Sequence, residues 1–101
     1  MFEKEENATI TSTRIETEDH GIPTLWINFD FGGGGQGFGG YDARFEKHAL
    51  WPYEIIKVLE VKSWESLPGT NARIRRDKSG MGGKIIAIGH IVKDRWFEVP
   101  E

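Results

Sequence analysis

Cysteine is absent from the 101 residues, and its absence removes disulfides, thiolate metal sites and cysteine nucleophiles together. Net charge is nearly absent too. Thirteen Lys and Arg against sixteen Asp and Glu leave −3, too little for a basic field that holds nucleic acid or for an acidic surface that imitates it. Long apolar runs are also missing: no stretch approaches the ~20 residues of a membrane span, and the opening MFEKEEN has no signal-peptide core. Together these absences predict a soluble cytoplasmic protein that makes no membrane contact and is a poor partner for nucleic acid.

What is present supports a core. Four Trp and six Phe can bury large areas, and a chain of this length fits one domain, 1–101, with residues 1–7 expected to fray. Residues 8–16, rich in Thr and Ile, read as a first strand, and 24–31 alternates apolar and polar residues as its hairpin partner after the turn residues Asp19 to Pro23. Pro52 near a first helical position, followed by Ile55, Ile56 and Leu59, predicts a helix from Trp51. Residues 63–69 read as a turn. A second hairpin pairs 71–76 with the apolar run 84–92, across Gly80 to Gly83. The expected fold is α+β: a small antiparallel sheet of about four to five strands with one helix packed on one face.

The segment Gly32–Gly40, GGGGQGFGG, reads as a loop or an irregular edge, because glycine in that density raises the entropy cost of order and offers few side chains to pack. Its Gly32-x-Gly34-x-x-Gly37 match is nearly unavoidable in such a run. No helix follows to make a dinucleotide fingerprint, and no Gly-Lys-Ser or Gly-Lys-Thr makes a phosphate loop. Bare backbone amides at Gly33, Gly34, Gly35, Gly37 and Gly39 can nevertheless approach a phosphate or a partner chain closely. Gln36 could read a base edge, and Phe38 or Tyr41 could stack on a base; the plain alternative is a hairpin tip whose Phe38 folds into the core.

Arg73, Arg75 and Arg76, with Lys78, form the one basic cluster, either a solvated strand edge or, if Arg73 and Arg75 reach the glycine loop, half of an anion site. His20, His48 and His90 match no metal-ligand spacing, so no metal and no cofactor is expected. Asp30 and Asp42 flank the loop and could act as acid and base, cap turns or bind ribose; no nucleophile–base pair stands out, and the chain reads as a binder rather than an enzyme.

The ordered strings TLWINFDFGGGGQGFGGY, EIIKVLEV, SWESLPGT and KIIAIGHIVKDRWF resemble a family of small bacteriophage and prophage accessory proteins, over about residues 11–97. The resemblance implies a counter-defence protein in the cytoplasm of a bacterial host, binding and sequestering a small nucleotide-derived signal. The alternative it implies is an inhibitor that binds a host defence protein and takes no small ligand. A homo-oligomer would suit sequestration, with Trp26, on the outer face of its strand, as an interface residue.

Overall fold

The computed structural model describes residues 5–17, 20–77 and 83–100. It is mostly sheet. Six strands, β1 (Glu5–Thr17), β2 (Pro23–Asp30), β3 (Gly35–Asp42), β4 (Asn71–Arg76), β5 (Ile85–His90) and β6 (Trp96–Glu98), form one antiparallel sheet in the order β3-β2-β1-β4-β5-β6. Between β3 and β4 lie two short helices, α1 (Glu46–Ala49) and α2 (Trp51–Leu59), and a 3-10 turn at Trp64–Ser66.

The expected sheet of four to five strands with one helix on one face is therefore corrected to six strands with a small helical part. Beyond the four strands read at 8–16, 24–31, 71–76 and 84–92, the structure adds β3, which is largely glycine, and β6, which has three residues. Neither carries the side-chain alternation from which a strand is read. The fraying expected through residue 7 is corrected as well, since Glu5, Glu6 and Asn7 pair with Arg75, Ile74 and Arg73. Asp19 and the expected turn at Gly80–Gly82 lie outside the described residues, as does Lys78.

β1 organises the sheet. Its first half pairs with β4 and its second half with β2, only Thr9 being opposite both, and an extra residue at Thr11 breaks the register between Ile10 and Ser12. Such a bulge sharpens bend and twist. The two halves of the sheet consequently fold toward each other, so that Phe38 on one edge strand and Phe97 on the other meet edge to face with ring centroids 6.2 Å apart.

The inward residues of every strand fill the space between: Ile10, Leu25, Ile27, Phe29, Phe38, Ile74, Ile88 and Phe97, joined by Trp51, Ile55 and Leu59 from α2 and by Leu67. Burying each such aliphatic or aromatic side chain stabilises by about 1.5–3 kcal/mol. Trp51 is the hub, within 4.8 Å of the Tyr41 ring and 5.3 Å of Phe97. α2 begins with Pro52 in its first turn and ends at Glu60 in the left-handed conformation, φ 59°.

Candidate functional site

The glycine run divides into a turn and a strand. Phe31 N–H donates to the Gly34 carbonyl at 2.9 Å, and Gly32 N–H donates to Asp30 Oδ1 at 3.1 Å; from Gly35 the chain is β3. Of the two expected forms, the loop is thus corrected over 35–40 to the irregular edge, an edge strand whose register shifts opposite Leu25 and Trp26, and the reason it is ordered is Trp26. Its indole lies across the outer face of β3, where a Cβ at Gly39 would come within 2.2 Å of the Leu25 carbonyl and 2.9 Å of the ring, and one at Gly40 within 3.4 Å of the ring. An aromatic ring covering strand glycines replaces the packing that they lack. Trp26 is half-buried by this role, with the Arg14 guanidinium 5.3 Å from the ring centroid.

Gly33 and Gly34 differ from the others. Neither has a left-handed φ, and a Cβ on either would meet nothing within 4 Å. Nothing in the fold requires glycine there.

Beside them lies Arg76. Strand alternation places Ala72, Ile74 and Arg76 inward and Arg73 and Arg75 outward. The same parity turns Glu6 inward with Ala8, and Gln36 inward with Phe38. These three polar side chains meet where the core ends. Arg76 is 6% exposed; its Nε donates to Gln36 Oε1 at 2.8 Å, its Nη1 pairs with Glu6, and its Cζ lies 4.7 Å from the Phe31 ring centroid. Its Nη2 has no hydrogen-bond acceptor among the described residues. The Gln36 amide in turn donates to the Gly83 carbonyl at 2.8 Å. Glu6, Phe31, Gly33, Gly34, Gly35, Gln36 and Arg76 line an open cleft of about 460 Å³, within the usual range of volume for small-molecule sites.

The residues named from sequence are only partly brought together. Gly33, Gly34, Gly35 and Gln36 line this cleft, whereas Phe38 is 2% exposed and serves the core instead of offering a free face to a base. Gly37, Gly39 and Tyr41 line a neighbouring hollow of about 240 Å³ with Phe38, Gly40, Lys84 and Ile85. Burial raises the Tyr41 hydroxyl pKa, so it stays a protonated donor.

Arg73 and Arg75 do not reach the glycine turn, because they lie on the outer face against Trp96, with Cζ 4.8 and 4.1 Å from its ring centroid. Arg73 donates to the carbonyls of His90 and Lys93, both at 2.8 Å, and Arg75 pairs with Glu5 at 3.0 Å and Glu98 at 3.4 Å. Arg76, Glu6, Phe31 and Lys84 take the places that sequence reasoning missed. The signal was present, since Arg76 is in phase with the apolar Ala72 and Ile74.

The flanking carboxylates serve turns: Asp30 accepts from Gly32, and Asp42 accepts from the Arg44 backbone and side chain, which holds its pKa below the usual carboxylate value. No group of three His, Asp or Glu suitable for a metal occurs among the described residues. His48 Nδ1 is 2.7 Å from the Asp42 carbonyl, and His90 Nδ1 accepts from the amides of Val92 and Lys93.

No family model and no curated protein matches the chain. No helix among the described residues is long and apolar enough to cross a membrane.

Proposed function

We propose that this protein binds, without turning over, a small phosphate-bearing nucleotide in the Arg76 cleft, and that it does so as a phage or mobile-element accessory protein sequestering a nucleotide-derived signal. One observation carries the reading. Two glycines that the fold does not require, Gly33 and Gly34, expose bare backbone beside a buried guanidinium. Backbone amides and a planar guanidinium are complementary to phosphate oxygens, and the Phe31 ring supplies an aromatic wall. Glu6 and Gln36 hold the Arg76 fork in place, so little side-chain entropy remains to be lost on binding.

Thermal denaturation against cyclic dinucleotides, mononucleotides and ADP-ribose derivatives tests this. A ligand at a hundredfold excess over its dissociation constant adds about 2.7 kcal/mol, which for a domain of this size raises Tm by about 10 °C or more. Arg76→Lys, which keeps the charge and loses the fork, should abolish the shift, and the ligand should be recovered intact. Breakdown of the ligand would make the protein an enzyme, and a flat response over the whole panel would remove the nucleotide reading for those ligands.

The second reading, an inhibitor docking on a protein, has its own supporting observation. Phe45, Leu50 and Tyr53, close together in sequence, are 57%, 62% and 58% exposed. Exposed rings of this kind form interface anchors. Affinity purification with Phe45→Ser and Tyr53→Ser as controls distinguishes the two, since capture that depends on those residues and ignores nucleotides belongs to the inhibitor.

A further inference from the structure

The Arg76 cleft has a neighbour on the same strand. The hollow beyond Gln36 presents a related set: glycine backbone (Gly37, Gly39, Gly40), one cation (Lys84) and Tyr41, whose ring packs against Phe38, His48 and Trp51, where the first has Gly33–Gly35, Arg76 and Phe31. Gln36 stands between them, its Oε1 bound to Arg76 and its Nε2 to the Gly83 carbonyl. Both hollows are lined by β3, which no further strand among the described residues covers.

Lys84 is placed for such a role. Its backbone is pinned on both sides, the amide donating to Asp77 Oδ1 at 2.9 Å and the carbonyl accepting from Asp77 N–H at 2.9 Å. The side chain is exposed, and its ammonium has no ion-pair partner among the described residues. A fixed backbone carrying an unpaired cation beside bare glycines is the complement of a second anion.

Resting on the binding function proposed above, we infer that the ligand carries two phosphate groups on two nucleotide halves: a dinucleotide, with one half at Arg76 and Phe31 and the other at Lys84 and Tyr41. Two linked halves bind more tightly than one because the second contact is intramolecular.

Isothermal titration at one fixed salt concentration, comparing AMP with cyclic di-AMP and GMP with cyclic di-GMP, reads this directly. For at least one pair the dinucleotide should bind about tenfold more tightly or better, and Lys84→Ala should reduce that ratio toward one. Equal affinity for mononucleotide and dinucleotide overturns the inference and leaves the binding function standing, as does a dinucleotide advantage that survives Lys84→Ala. Binding of none of the four overturns the inference, and it removes the binding function as well when the ADP-ribose derivatives of the thermal panel also fail to bind.

Discussion

Gly34 and Gly39 are the same residue in one run and should respond oppositely to alanine. At Gly39 a methyl would collide with the Leu25 carbonyl and the Trp26 ring, and relieving that overlap moves backbone; Gly39→Ala should cost about 1–3 kcal/mol. At Gly34 the methyl meets nothing, and a stiffer unfolded chain should stabilise the protein by about 0.4–1 kcal/mol while crowding the phosphate site. Urea denaturation of the two variants checks the signs, and a Gly34→Ala protein that is more stable and binds less is the specific expectation. The distinction between these glycines could not be read from the string GGGGQGFGG, because it depends on where Trp26 lies. Arg76 could have been read. Its parity with Ala72 and Ile74 marks it as inward, although the cluster of Arg73, Arg75 and Arg76 with Lys78 reads more naturally as a charged edge.

Among the elements, the hairpin β1–β2, the helix from Trp51 and the pairing of β4 with β5 were legible, because each follows side-chain alternation, helical spacing or punctuation by Gly and Pro. β3 was not, since its order comes from a ring supplied by its neighbour. β6 was not either; three residues are too few to show a period, and only the anchoring of Phe97 against Phe38 and Trp51 reveals it. The end of α2 adds a pH-dependent contact.

Glu60 accepts hydrogen bonds from Lys93 and Arg95 and so ties the β5–β6 connection to the helix. The Lys93 bond, assisted by Arg95, holds the Glu60 pKa below its ordinary 4.5. A carboxylate with a depressed folded-state pKa stabilises above the unfolded value and loses that contribution as pH falls through the folded one. Melting curves of the parent and Glu60→Gln should therefore differ at neutral pH and converge in acid, below the ordinary Glu60 value of 4.5. A constant difference over the whole range would mean that the clamp contributes nothing.

At the scale of the molecule, the bend at Thr11 makes one sheet enclose its own core and brings β1, β3 and β4 to a common end, where Glu6, Gln36 and Arg76 meet. Residues 70 apart in sequence, such as Glu6 and Arg76, are joined there by strand pairing alone. Composition and spacing do not encode that meeting, which is why the glycine run was legible as a candidate site while its cationic partner was assigned to Arg73 and Arg75. The central claim is that the bare backbone at Gly33–Gly35 and the Arg76 guanidinium together form a nucleotide site. Its most direct measurement is a two-dimensional amide NMR titration with AMP, GMP, their cyclic dinucleotides and ADP-ribose. The account predicts that at least one of them shifts the amides of Gly33 to Gln36 and the Arg76 Nε–H together, leaving the outer-face Arg73 and Arg75 signals in place. Unmoved glycine amides throughout, or shifts confined to Arg73, Arg75 and Trp96, would contradict it.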